Sequence, residues 1–471
     1  MRTLEILIPV TLAVYLLWPF FTGRKYPRLV AFLPLLATLM IGTHLLTEGY
    51  RWQMIPLYAL TGIILLIAIP KLFRSEAGTF KRVSWAGAGL VGTLILLAAS
   101  IAVPILLPIP NVPSPSGPYS VGTQLFVLTD ESRRELYSGQ DEPRKFMLQV
   151  WYPADPEPDT PHAPWMNSAP IFAREIATYL GLPEFFLDHL EFVKTPSFQN
   201  AQLAPSDSSY PVIIFSHGWN GFAAQNTCQA LELASRGYVV VATQHTYGAV
   251  VTVFPDGEIA HNNPNALPDD VPDDEYDIAA RLLVNQWAGD ISFALDFLEE
   301  ENLDSASQFY SAINLDSVGV YGHSTGAGAA IQFCGTDARC KALLGMDPFM
   351  TPVSEQVLDS GVSQPAFFMF SQNWVDKVDS KNNRLFKGFY ENLDPSTHVI
   401  GIQGTKHYDF SDLPMLSPIA PQLGLKGPIN GKRATEIVNA YLIVFFETTL
   451  KDQPTDLFEE PFEYPEVIDL H

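Results

Sequence analysis

Four apolar runs, residues 6–21, 29–46, 54–70 and 83–110, follow one another at the start of the chain without a single Asp, Glu, Lys or Arg. A bilayer core about 30 Å thick takes roughly 20 apolar residues of helix and tolerates about 17, so the first run only just suffices. One cleaved signal peptide would account for one such run, not for four. Pro9, Pro34, Pro56 and Pro104 would weaken soluble helices, but neighbouring helices in lipid re-satisfy the backbone groups that proline frees. The pattern predicts a helical transmembrane domain of four spans over residues 1–110.

Charge divides the chain at the same place. Residues 1–110 hold nine Lys and Arg against three acids, which leaves nineteen against forty-eight in residues 111–471 and gives the whole chain its net charge of -23. So acidic a chain is not built to hold nucleic acid. Three cysteines among 471 residues make neither a disulfide scaffold nor a zinc site. Arg24, Lys25 and Arg28 lie between the first two runs and Lys71, Arg74, Lys81 and Arg82 between the last two, whereas the middle loop has only Arg51 against Glu48. Positive loops stay cytoplasmic, so both chain ends and the acidic part are expected on the extracytoplasmic side, with Arg2 the one dissenting charge. A proline-rich stretch, residues 108–118, marks a stiff linker and the domain boundary.

Past that linker, short β-branched and aromatic runs alternate with helix-length segments. Strands are expected at 146–152, 212–215, 238–242, 317–321, 342–346 and 366–370, and helices at 224–236, 327–333 and 434–450. Leu283, Trp287, Ile291, Leu295 and Leu298 recur at helical spacing in a crossover segment. Strands alternating with helices imply an α/β fold on a mainly parallel sheet.

Where the run 317–321 ends stands Gly322-His323-Ser324-Thr325-Gly326, then the helix-like 327–333. Strand, G-x-S-x-G and helix together form a nucleophile elbow, a sharp turn that presents the serine hydroxyl above the sheet. An earlier strand ends in Ser216-His217-Gly218-Trp219. In α/β-hydrolases that loop supplies one amide of an oxyanion hole and the residue after the nucleophile the other, which nominates the Trp219 and Thr325 amides. His217 reads as a residue that holds the loop, and His245, His261 and His398 as surface or packing residues.

These motifs, with Gly117-Pro118-Tyr119-Ser120-Val121-Gly122, residues 210–218, 364–370 and Gly404-Thr405-Lys406-His407, resemble the platelet-activating-factor acetylhydrolase family of serine esterases over about residues 117–446. The resemblance implies an α/β-hydrolase that cleaves short or oxidised acyl esters without metal or other cofactor. The four apolar runs and Thr325, where an aromatic residue usually follows the serine, depart from the family. Asp347 follows the strand after the elbow helix and His407 comes 60 residues later, the Ser…Asp…His order of an α/β-hydrolase triad. Asp376, past the next strand, and Asp409, beside His407, are rival acids; the resemblance favours Asp347.

The expected function is thus a membrane-anchored carboxylic ester hydrolase, a lipase or esterase acting on lipid or small-molecule esters through Ser324, Asp347 and His407. Its partners would be the ester substrate and the bilayer, with no nucleic acid; oligomeric state is not legible. The alternatives are an acyltransferase with the same triad and a non-catalytic receptor or transporter. Weaker signals are an acidic surface loop with Asp269, Asp270, Asp273, Asp274 and Glu275, an apolar insertion at 179–192, a disulfide between Cys334 and Cys340, and a buried Cys228.

Overall fold

The computed structural model describes residues 1–23, 25–73, 84–422, 424–459 and 462–470. Arg24, Arg74, Lys81 and Arg82, on which the expected orientation partly rests, lie outside the described residues. The chain forms two compact units, Met1–Pro110 with Leu416–Ile419, and Asn111–Met415 with Ala420–His471.

The first unit is a set of apolar helices, α1 (Thr3–Thr22), α2 (Leu33–Thr47), α3 (Ile55–Phe73) and α4 (Ser84–Leu106). Among the described residues, three stretches are long and apolar enough to cross a membrane: Thr3–Thr22, Trp52–Pro70 and Ala88–Leu106. The second of the four expected spans is not among them. Pro34 has no N–H for the Val30 carbonyl, and the run divides at Phe32 into Arg28–Ala31 and the 15-residue α2. Ile8, Leu12, Ala37, Leu57 and Leu60 pack inside. Leu39, Ile63, Leu66, Ile67 and Ile95 are each more than half exposed, an outward apolar face that a bundle in water would hide.

Charged groups at the margins of the runs meet at one end of these helices. Arg2 Nε donates to Glu5 Oε1 at 3.0 Å, and Arg51 Nη1 pairs with the same oxygen at 3.3 Å. The His44 ring lies 3.5 Å from Glu5 and 3.6 Å from Glu48, and its Nδ1 is 2.9 Å from the Tyr58 hydroxyl. Arg51 Nη2 donates to the carbonyls of Pro104 at 3.3 Å and Leu107 at 2.8 Å. Within α4 the Pro104 carbonyl would have taken the N–H of residue 108, which is another proline, so the guanidinium fills a gap the backbone cannot close.

The second unit is built on a mixed sheet. In chain order its strands are β1 (Ser120–Arg134), β2 (Pro143–Asp155), β3 (His162–Pro164), β4 (Lys194–Gln199), β5 (Gln202–Leu203), β6 (Tyr210–Ser216), β7 (Val239–Gln244), β8 (Ile313–His323), β9 (Cys340–Met346), β10 (Ala366–Ser371), β11 (His398–Ile402) and β12 (Val467–Asp469). They lie in the order β12-β11-β10-β9-β8-β6-β7-β2-β1-β4-β3, with β5 paired to β2. From β7 to β11 every pairing is parallel. The flanks are mixed: β2 runs antiparallel to both β7 and β1, β1 pairs with β4 in parallel, and β12 runs antiparallel to β11. The expectation of a mainly parallel sheet therefore describes the middle. There β6, β7 and β10 are buried at every residue, as strands covered on both faces must be.

Five helices matter to the site: α5 (Ala169–Tyr179), α6 (Thr227–Ser235), α7 (Asp273–Leu303), α8 (Thr325–Cys334) and α9 (Gly431–Lys451). The apolar stripe of α7 is buried from Leu283 through Trp287 and Ile291 to Leu298. Asp273, Asp274 and Glu275, expected in a surface loop, form its first turn, where the positive end of a helix favours carboxylates. The apolar insertion is α5 followed by a 3-10 stretch, Glu184–Phe192, with Tyr179 and Phe185 about half exposed. Cys334, which ends α8, is disulfide-bonded to Cys340, which opens β9, and Cys228 is buried.

Candidate active site

Parallel strands end together at one edge of a sheet, and a side chain just beyond each end projects into the same crevice. Ser324 follows β8, Asp347 follows β9, Ser371 closes β10, and His407 lies five residues past β11. Ser324 has φ 57° and ψ -120°, outside the regions an L-residue favours, the strained turn expected of an elbow. Only glycine fits on either side of it: a Cβ on Gly326 would run into the Ser216 carbonyl, and one on Gly322 into the backbone of Gly326.

Asp347 is fully buried and also sits at positive φ, 44°. Its carboxylate accepts the Ser371 N–H at 2.8 Å, the Ser371 hydroxyl at 2.6 Å and His407 Nδ1–H at 2.9 Å. That bond fixes the His407 tautomer and leaves Nε2 to accept a proton. Trp374 stacks on the His407 ring at 4.9 Å, which holds the plane of the imidazole. Ser324 and His407 line one cleft of about 220 Å³ together with Gly218, Trp219, Phe222 and His323. A larger pocket of about 440 Å³, against helix Lys381–Tyr390, holds none of these groups, so chemistry and not size selects the site.

The rival acids are placed elsewhere. Asp376 is exposed and accepts a bond from Gln372 at 3.0 Å. Asp409 is buried and accepts the amides of Lys406 at 2.7 Å and Gly427 at 2.6 Å, which pins the loop that carries His407. Burial pushes its carboxyl up, against those amides.

The Gly218–Trp219 loop lies against Ser324, since a Cβ on Gly218 would come 3.2 Å from Ser324 Cβ. The Thr325 amide belongs to the first turn of α8, where a helix leaves N–H groups without an internal acceptor. Both rings nitrogens of His217 are occupied: Nδ1–H donates to the Gly218 carbonyl at 2.7 Å and Nε2 accepts the His245 N–H at 3.2 Å. Burial, and then the neighbouring His245, hold its pKa well below the usual value, so it stays neutral and structural.

Three neighbours of the candidate site escape a reading of the sequence. Ser371 and Trp374 are two. The third is His323, whose Nε2–H donates to the His407 carbonyl at 2.9 Å and whose pKa burial, then His407, depresses strongly. It carries no charge that would compete with imidazolium at His407. A fourth arrangement imitates a triad. Ser216 Oγ is 2.9 Å from His245 Nε2, and His245 Nδ1 is 2.8 Å from Asp290. All three are fully buried, and Thr243 shares the same Nε2 at 2.8 Å. Against burial, which pushes it up, Arg144 and His245 hold the Asp290 carboxyl far below its usual range. This set braces the end of β6 and the loop beside Ser324, closed off from solvent.

Among the described residues one group could hold a metal ion: Glu5, His44 and Glu48, with ligand atoms within 4.8 Å of one another. Arg2 and Arg51 already place two positive charges against two carboxylates there, so the group is charge-balanced without a cation.

The family described as platelet-activating factor acetylhydrolase, isoform II, matches residues 108–459. A platelet-activating factor acetylhydrolase from Cavia porcellus is 29% identical over 360 residues, covering 72% of this chain and 78% of the relative. A probable 1-alkyl-2-acetylglycerophosphocholine esterase from Arthroderma benhamiae is 23% identical over 415 residues, covering 80% of this chain and 99% of that one. A ferulic acid esterase from Streptomyces cinnamoneus superposes with a TM-score of 0.64 at 23% identity, over 77% of this chain and 100% of that chain, a likeness of fold alone.

Proposed function

Starting from a chain that belongs to the platelet-activating factor acetylhydrolase, isoform II, family and is a carboxylic ester hydrolase, we propose that it cleaves short-chain or oxidised phospholipid-like acyl esters through Ser324, Asp347 and His407. The observation that carries this reading is the bonded chain from Ser371 through Asp347 to His407, opening into the cleft that holds Ser324. Ser324 Oγ attacks the ester carbonyl as His407 Nε2 takes its proton. The Trp219 and Thr325 amides meet the oxyanion, and His407 returns the proton to the departing alcohol. Water, activated by His407, then releases the acid and frees Ser324. Asp347 keeps the tautomer and stabilises the imidazolium as it forms, while Trp374 stacks on the ring and fixes its orientation. A cleft of about 220 Å³ suits a short acyl group.

Product analysis over straight-chain esters of increasing acyl length, with a 2-acetyl phospholipid alongside, tests this. Release of free acid, fastest for the shortest chains, is the expected result. Recovery of the acyl group on an added alcohol or amine instead would make the enzyme a transferase, and no turnover of any ester would leave a receptor-like role.

We further propose that residues 1–110 anchor the enzyme in a membrane through four helices, α2 and the preceding turn completing the set, with the catalytic part extracytoplasmic. The basic loops before α2 and after α3 support this orientation. Protease added to intact cells should remove the catalytic part. Protection until the membrane is broken would reverse the orientation.

A further inference from the structure

Behind the cleft lies a second, smaller cavity of about 40 Å³, with walls that include Leu125, Met147, Met166, Phe172 and Val253. Of its polar neighbours, Asn167 is half-buried, and the two glutamines are spent elsewhere. Gln244 accepts the Ala223 amide at 2.6 Å and donates to the Val251 carbonyl at 2.7 Å, while Gln149 donates to the Thr123 hydroxyl at 3.3 Å. The space is therefore largely apolar, with room for about three water-sized groups. Phe222 lines both this cavity and the cleft that contains Ser324. It stands three residues beyond Trp219, is 3% exposed, and meets the rings of Trp165 and Phe172 edge-on at 5.8 Å each. Its backbone is held from both sides, by a Gly221–Gly218 turn bond at 2.9 Å and by the Gln225 amide donating to its carbonyl at 2.9 Å. The ring is a fixed partition, not a mobile side chain.

We propose that Phe222 sets acyl-chain length, and that the cavity on its far side, separated from the cleft by this ring, is a subsite for the distal methylenes of a straight acyl chain. The proposal rests on the esterase reading of Ser324. With the ring in place, a chain entering past Trp219 ends against it. With the ring shortened, cleft and cavity become one apolar channel, and each methylene that enters it is worth about tenfold or more in kcat/KM.

The test compares acetyl, butyryl and hexanoyl esters of one alcohol in the wild type, Phe222→Ala and Phe222→Leu. A fluorophosphonate titration counts intact nucleophiles in each preparation. The hexanoyl-to-acetyl ratio of kcat/KM per labelled site should rise at least tenfold in Phe222→Ala and by less in Phe222→Leu. Val253→Phe added to Phe222→Leu should refill the cavity and bring the ratio back. Should Phe222→Ala fail to fold, the Leu variant and its refilled partner carry the comparison. An unchanged ratio in variants that still label overturns the partition. So does a gain that follows the size of the alcohol and not of the acyl chain. A wild type that neither labels nor turns over any ester refutes the esterase reading instead, which separates the two failures.

Discussion

Ser324→Ala should lower ester turnover by about 10⁴- to 10⁶-fold while leaving the melting temperature close to that of the wild type. The hydroxyl alone is lost. Alanine at φ 57° is no more strained than serine, and the bonds that shape the elbow are made by its backbone, the Ser324 N–H to Met346 at 2.9 Å and the Phe349 N–H to the Ser324 carbonyl at 3.0 Å. What remains is the cleft and its amide donors, which bind substrate but cannot form an acyl-enzyme. A fluorophosphonate should label the wild type at Ser324 and leave the variant unlabelled. The result to look for against this is labelling at Ser216, the serine of the buried imitation triad.

Asp347→Asn should cost about 10⁴-fold in kcat, the loss seen when a triad acid is exchanged for its amide. An amide at this position can still accept from the Ser371 N–H, so the fold has little reason to change. What it loses is preference for the Nδ1–H tautomer of His407 and charge to balance imidazolium. Asp376→Asn, at an exposed carboxylate with a single side-chain partner, should stay within about tenfold of wild type. Asp409 is not a clean control, because its carboxylate holds two amides of the His407 loop and its loss would act through that loop. Collapse in Asp376→Asn with near-normal turnover in Asp347→Asn would reassign the acid.

The difference between these acids shows what a sequence can carry. Elbow, strands β6 to β10 and the C-terminal helix announce themselves through local signals, since glycine spacing, β-branched runs and 3.6-residue periodicity each need only a few neighbouring residues. Strand β1 does not. It is a flank strand whose burial is broken along its 15 residues, so no clean alternation marks it. The break of the second apolar run at Phe32 follows from Pro34, yet a proline inside an apolar run is equally compatible with an unbroken span. Ser371, Trp374 and His323 have no signature at all. Their roles come from contacts with residues 24 to 84 positions away, and the Arg144–Asp290 pair that braces the site spans 146. Local rules find the elements that carry a site; packing decides which polar residues serve it.

Arg51 sets a condition on how the first unit comes into being. A guanidinium that is 1% exposed among apolar helices is tolerable only once its partners are present, and these come from both ends of the unit. Glu5 is made before it, but the Pro104 and Leu107 carbonyls are made more than fifty residues later. During synthesis the first three helices therefore hold an incompletely bonded cation until the fourth arrives. The last helix therefore completes the bonding of Arg51, and a chain stopped short of residue 107 leaves that buried guanidinium without its Leu107 acceptor.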